Sequence, residues 1–144
     1  MHSGESLTRS PADTESLGER LGASLTPADV VYLVGELGSG KTTLVRGIAR
    51  GLGAREREVA SPTFALLHEY TGGAGDVVLR HLDLYRLDDD PRDLAILGLP
   101  EAVSGAPLCV EWPRRAIRAI LPATIEVTIE TESEESRRIR IVGG

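Results

Sequence analysis

Residues Gly35-Glu36-Leu37-Gly38-Ser39-Gly40-Lys41-Thr42 spell a complete G-x-x-x-x-G-K-[ST] pattern, and the segments on either side restrict what it can be. Before it, Val30-Val31-Tyr32-Leu33-Val34 is a short, β-branched apolar run that reads as a buried strand. After it, Leu44, Val45, Ile48, Ala49 and Leu52 recur at helical spacing. Strand, glycine-rich turn and helix start together make an anion cradle. Glycines at 35, 38 and 40 permit positive φ and close approach, so that backbone N–H groups converge where the helix dipole favours negative charge. The pattern in this context predicts a nucleotide-phosphate site on an α/β sheet.

Lys41 is the single lysine of the chain, and the remaining fifteen basic residues are arginine. Its slender stem and compact ammonium suit the space between β- and γ-phosphates, where a planar guanidinium fork is too wide. The backbone of Glu36, Leu37, Gly38, Ser39 and Gly40 completes the cradle. The Thr42 hydroxyl suits a magnesium ion bridging the β- and γ-phosphates, and Thr43, one residue further into the helix, suits the α-phosphate. GTPases of the Ras type select their base with an Asn-Lys-x-Asp sequence, and with no second lysine available here adenine is favoured, so ATP and ADP are the expected ligands.

Hydrolysis needs in addition a carboxylate near the metal and a group that orients the nucleophile. Two strand-end acids qualify: Asp83, closing Val77-Val78-Leu79-Arg80-His81-Leu82, and Glu111, closing the purer apolar run Leu108-Cys109-Val110. The pattern alone favours Glu111, and both stay candidates, since such acids also serve as caps or ion-pair partners. His81 can be read as a metal ligand or a base beside Asp83, although a lone histidine on a half-buried strand is more often only hydrogen-bonded. Trp112 follows Glu111 and either packs under the sheet, the default, or lies against the nucleotide or a partner. Arg114, Arg115 and Arg118 suit phosphate-facing roles, but a solvated helix face is the commoner meaning of such a cluster.

The 144 residues suit one domain, burying about 68–70% of the surface of the unfolded chain. Residues 1–12 are polar and read as a flexible leader, leaving 13–144 as a single P-loop domain. Leu17, Leu21 and Leu25 predict an amphipathic helix over 13–25, weakened by Gly18 and Gly22. Residues 63–70 and 77–84 read as strands joined by a glycine-rich turn, and 124–129 pairs plausibly with 138–142. Helices are expected over 88–97 and 113–121, with one further turn at 99–103. Hairpins combined with a crossover require both antiparallel and parallel neighbours. The expected fold is therefore a three-layer α/β, P-loop NTPase-like architecture with a mixed, mainly parallel central sheet and antiparallel hairpins. Cys109 reads as a small core residue with no possible disulfide partner. Without a signal-like N-terminus or an apolar membrane span, a cytoplasmic location is expected. The formal net charge of −6 argues against gripping nucleic acid unaided, so any RNA contact is expected through a protein partner.

Several separated segments together resemble one family. The loop from Gly35 to Thr43, Ser61-Pro62-Thr63-Phe64, His81-Leu82-Asp83-Leu84-Tyr85-Arg86-Leu87, Leu97-Gly98-Leu99 and Val110-Glu111-Trp112-Pro113 are similar, in order and spacing, to the TsaE (YjeE) family. Members are small bacterial ATPases of tRNA threonylcarbamoyladenosine biosynthesis. The resemblance runs from the first helix to about Ile129, finds no counterpart before Thr14, and is too generic to match after Glu130. It implies magnesium-dependent ATP binding, weak hydrolysis stimulated by partners, and action on a TsaB–TsaD pair in which TsaD transfers the threonylcarbamoyl group to tRNA. It also implies that Lys41 and Thr42 are the phosphate and magnesium residues and Asp83 the Walker B aspartate. By the same resemblance Glu111 is a metal- or water-positioning acid beside Trp112, and Thr63 is a γ-phosphate sensor in a switch-like segment. The expected catalytic set is thus Lys41, Asp83, Glu111 and Thr63, with Thr42, Asp83 and Glu111 around the metal. The rival readings are a small-molecule P-loop kinase and a non-catalytic nucleotide-binding subunit.

Overall fold

In a computed structural model the described residues are 3–36, 38–55, 59–60, 67–85, 90, 92, 95, 98–99 and 101–143. Among them the strands are β1 (Gly4–Thr8), β2 (Val30–Val34), β3 (Val59–Ala60), β4 (Leu67–Thr71), β5 (Val77–Asp83), β6 (Leu108–Glu111), β7 (Ile125–Thr131) and β8 (Arg137–Gly143). They form one sheet in the order β1-β8-β7-β2-β6-β5-β4-β3. The four central strands β7, β2, β6 and β5 are mutually parallel, and antiparallel strands extend the sheet at both ends. The α-helices among the described residues are α1 (Pro11–Ala23), α2 (Lys41–Gly51) and α3 (Arg115–Ile120), with a 3-10 turn at Glu101–Val103.

Alternation along the central strands separates two cores. Val31 and Leu33 of β2, Leu79 of β5, Cys109 of β6 and Val127 of β7 pack under α1 and α2, against Leu17, Leu21, Leu44 and Ile48. Tyr32, Leu82, Leu108 and Val110 face the other way, toward Ile117 of α3 and Val103 of the 3-10 turn. The result is the expected three layers. Burying a side chain such as Leu44 or Ile48, both fully enclosed, contributes about 1.5–3 kcal/mol each. Cys109 is wholly buried, and burial together with the nearby Glu111 pushes its thiol far above the ordinary cysteine range, consistent with a core residue rather than a reactive one.

Both expected hairpins are present, β4 with β5 and β7 with β8, the second pairing Ile129 with Ile139. Residues 63–66 of the first, and most of the helix expected over 88–97, lie outside the described residues. The N-terminal reading needs correction. Residues 4–8, expected to belong to a flexible leader, form β1 on the outer edge of β8, with Glu5 bridging Arg138 and Arg140 at 3.3 Å each. Thr8, 4% exposed, hydrogen-bonds the Thr14 hydroxyl at 2.7 Å, and Ser10 caps α1 through the Asp13 N–H. A polar segment that pairs with a strand 130 residues away leaves no local apolar signal, because the ladder itself supplies the ordering contacts.

Gly18 and Gly22, which lower the helix propensity of α1, have a packing reason. A Cβ on Gly22 would lie 2.2 Å from the Ile48 carbonyl oxygen and one on Gly18 2.4 Å from that of Leu44. Reciprocally, a Cβ on Gly47 would meet the Glu15 oxygen at 2.1 Å and one on Gly51 the Glu19 oxygen at 2.0 Å. The two helices therefore touch backbone to backbone, with Arg50 and Glu15 joined at 2.6 Å along the rim. Alanine would improve intrinsic propensity at these sites, yet overpacking costs more. Gly22→Ala and Gly47→Ala are each expected to lower stability by about 1–3 kcal/mol, read as a fall in the urea midpoint; an unchanged or raised midpoint would refute the close-contact account.

Candidate nucleotide-binding site

The loop after β2 crosses the carboxyl ends of the parallel strands, the place where open α/β sheets bind ligands. Gly40, at φ 106°, turns the chain into α2 in a conformation that a side chain would strain. Gly35 answers a different need: a Cβ there would lie 2.7 Å from Ser39 Oγ and 2.8 Å from the Ile129 carbonyl oxygen. The two helix starts then differ. α1 is capped by its own Ser10 with Asp13 in the first turn, whereas α2 has Gly40 as N-cap, no side-chain cap and no acidic residue in its first turn. Its free N–H groups and positive dipole end are left for an external anion.

That end opens into a cleft of about 510 Å³ lined by Gly38, Gly40, Lys41, Thr42 and Thr43 from the loop, with Asp83, Glu111 and Trp112 opposite. The two acids are register partners on adjacent parallel strands, so both project from the face that carries α2. Of the sequence-predicted residues, Lys41, Thr42, Thr43, Asp83, Glu111 and Trp112 are thus brought together. Glu36 lines the neighbouring cavity instead, and Ser39 is buried with its hydroxyl lacking a hydrogen-bond partner among the described residues. Leu37 and the Ser61–Phe64 segment with Thr63 lie outside the described residues.

Lys41 is only 5% exposed. Its Nζ donates to the Gly35 carbonyl, stands 4.0 Å from Glu111 Oε1 and lies 3.9 Å from the centroid of the Trp112 ring. Burial pulls the ammonium below the ordinary lysine range, opposed by the charges of Glu111 and Asp83, in that order. An incoming phosphate offers the opposite charge this buried cation lacks in full. Glu111 is itself held on its far side by His81, whose Nε2 shares a 2.5 Å hydrogen bond with Oε2. Asp83 is more exposed and accepts from the Tyr85 N–H at 3.0 Å, leaving carboxylate lone pairs directed at the cleft.

Trp112 is the one non-glycine residue among those described with positive φ, at 59°, a costly conformation for a bulky side chain. The turn sends its ring back over Lys41, with Tyr85 at 5.0 Å between centroids. It also lines a second, more apolar cavity of about 490 Å³ beside Leu33, Val34 and Pro113, so it does some core packing and some site lining at once. Sequence reasoning gave His81 only a minor part and missed Arg137, which reaches the loop from β8. The three arginines near α3 divide. Arg114 is spent on the Tyr85 carbonyl at 2.8 Å and Arg118 on Pro113 and Glu126, while Arg115 is exposed.

Comparison with known proteins decides the family. The model of the threonylcarbamoyl adenosine biosynthesis protein TsaE matches residues 8–139. The chain belongs to the TsaE family. A TsaE from Nostoc sp. is 42% identical over 90% of this chain and 82% of its own, and the one from Treponema pallidum 37% identical over 94% and 97%. The Bacillus subtilis TsaE is 36% identical over 92% and 80%. A crystal structure of Bacillus subtilis YdiB superposes with a TM-score of 0.74 at 30% identity, covering 100% of this chain and 88% of that one. The TsaE match thus includes β1's last residue and most of the final hairpin, segments whose sequence is too plain to carry the resemblance by eye. The P-loop NTPase-like fold of the family implies nucleotide binding.

The chain has one tryptophan, and it covers the lysine of the glycine-rich loop. Drawing Lys41 toward a nucleotide should therefore alter the indole emission, and Lys41→Met should shift the ligand-free emission in the same direction. Emission that stays constant while calorimetry records binding would mean that Lys41 never leaves the ring.

Proposed function

We propose that this chain is the ATP-binding and ATP-hydrolysing component of the machinery that forms threonylcarbamoyladenosine in tRNA. It acts on a TsaB–TsaD complex to support repeated turnover, and does not transfer the threonylcarbamoyl group itself. The observation that carries the reading is the buried Lys41 at the start of α2, facing the His81-held carboxylate of Glu111 with Asp83 alongside, in a chain of the TsaE family. The relatives bear the name tRNA threonylcarbamoyladenosine biosynthesis protein.

In this reading the loop N–H groups and Lys41 hold the polyphosphate, and Thr42 and Asp83 hold magnesium with Glu111 close by. The donor set fits that ion. Among the described residues no group of three or more His, Cys, Asp or Glu forms an all-protein cage, and magnesium ordinarily takes one or two carboxylates plus phosphate and water oxygens. When bound, it neutralises charge building on the phosphate oxygens. Glu111 orients the attacking water, and the short bond from His81 keeps its carboxylate in one rotamer for that task. Thr63 reads the γ-phosphate, and loss of that phosphate loosens docking on the partner. A chain of net charge −6 is better suited to docking on a protein that grips tRNA than to gripping tRNA. Of the arginines the kinase reading would need in a lid, Arg114 and Arg118 contact main-chain carbonyls and Glu126, and Arg115 is exposed. Among the described residues no helix is long and apolar enough to cross a membrane.

The decisive measurement is multiple-turnover threonylcarbamoyladenosine formation on tRNA by the cognate TsaB–TsaD pair with threonylcarbamoyl-adenylate. The wild type should sustain turnover and Lys41→Ala should fall to the level of no added protein; equal rates would detach the ATP site from the pathway and revive the search for a small-molecule acceptor. Glu111→Ala should keep ATP binding while lowering partner-stimulated hydrolysis by about a hundredfold or more, and retained hydrolysis would demote Glu111 to a structural acid. Thr63→Ala should likewise blunt the stimulation, and an unaltered rate would remove Thr63 from the switch.

A further inference from the structure

Arg137, the first residue of β8, ties two segments together. Its Nε donates to the Ser39 carbonyl at 2.7 Å and its Nη2 to that of Gly38 at 3.4 Å, both on the phosphate loop. Its Nη1 meets the carbonyls of Ser133, Glu134 and Ser136 in the β7–β8 turn at 3.0, 3.2 and 3.0 Å. Every one of these acceptors is a main-chain oxygen, so the guanidinium acts as a rigid fork between two stretches of backbone. The stem is fixed as well, because Arg137 pairs with Thr8 of β1 on one side and Thr131 of β7 on the other.

The loop needs such a brace. Gly38 and Gly40 have φ of 78° and 106°, and glycine crosses to other φ values with little penalty, so it is the hydrogen bonds on the peptide planes between them that hold those planes against a flip. In a trans peptide the carbonyl and the following N–H point in opposite directions. Holding the Ser39 oxygen on Arg137 therefore turns the Gly40 N–H away from β8. A flipped plane would present a carbonyl oxygen to the anion in place of a donor. The Ser39 N–H is already used in the turn, donating to the Glu36 carbonyl at 3.1 Å, which makes the Gly40 plane the one with most to lose.

We propose that Arg137 is a positioning residue for nucleotide binding, holding the Gly38 and Ser39 carbonyls outward so that the loop is preset for the phosphate groups common to ADP and ATP. The inference rests on the nucleotide-binding reading above and extends it to a residue of the last hairpin. It acts through the backbone, so it makes no distinction between the two nucleotides. A direct contact with the γ-phosphate would, since Arg137 also borders the cleft.

Titration calorimetry of ADP and of ATP with magnesium into the full chain tests it, using wild type, Arg137→Ala, Arg137→Lys and, as a neighbour on the same strand, Arg138→Ala. Arg137→Ala should raise Kd for both nucleotides by about tenfold, the scale of losing charge-assisted hydrogen bonds, with kcat at saturating ATP unchanged. Arg137→Lys keeps the charge but not the fork, and should bind as weakly as Arg137→Ala; Arg138→Ala should bind as the wild type does. Full affinity in Arg137→Lys would show that charge alone suffices and overturn the clamp. So would a loss confined to ATP or to kcat, which would make Arg137 a γ-phosphate contact, and so would unchanged ADP affinity. If Arg137→Ala fails to fold, Arg137→Lys alone decides between the same outcomes. A wild type that binds neither nucleotide would instead bring down the underlying nucleotide reading.

Discussion

Two helices that meet through bare backbone cannot slide past one another, and α1 and α2 meet in that way. Gly18 and Gly22 admit the carbonyls of Leu44 and Ile48, while Gly47 and Gly51 admit those of Glu15 and Glu19. The interlock fixes α2 along its whole length, and the first residue of α2 is Lys41. Leu44 and Ile48 then pin the other side of α2 to Val31, Leu33, Cys109 and Val127 of the central strands. The position of one ammonium group relative to Glu111 is thereby set by packing many residues away from it. Side-chain contacts alone would leave α2 more slack, since long side chains exchange rotamers and bare backbone does not.

Much of this was legible beforehand for a physical reason. β2, the loop and α2 form a local unit in which apolar run, glycines and helical spacing all carry signal within 23 residues, from Val30 to Leu52. Asp83 and Glu111 were legible as strand-end acids because each closes an apolar run, but their adjacency depends on β5 and β6 being parallel neighbours in register. Features made by pairing across the chain were not legible. β1 is a polar strand whose partner is β8, and Arg137 looks like any arginine in an alternating strand until the β7–β8 turn is folded against residues 38 and 39. Gly18 and Gly22 do lower the propensity of α1, but the reason they stand there was not legible, because the surfaces that need their missing side chains belong to another helix.

At the loop two cations, Lys41 and Arg137, face two carboxylates, Asp83 and Glu111. Burial disfavours the charged form of Lys41, while Glu111 and, more weakly, Asp83 restore part of it. Arg137 adds a guanidinium bonded to carbonyls, which leaves its charge available to the surroundings. The chain as a whole is acidic, while the first turn of α2 carries no acid of its own.

Trp112 stands at the boundary of two compartments, the phosphate cleft on one side and the apolar cavity beside Val34 and Pro113 on the other. Its ring is held by Lys41 and Tyr85 while its edge packs on the core around Val110 and Ile117. Because one side chain borders both cavities, a replacement at Trp112 alters the lining of the two together.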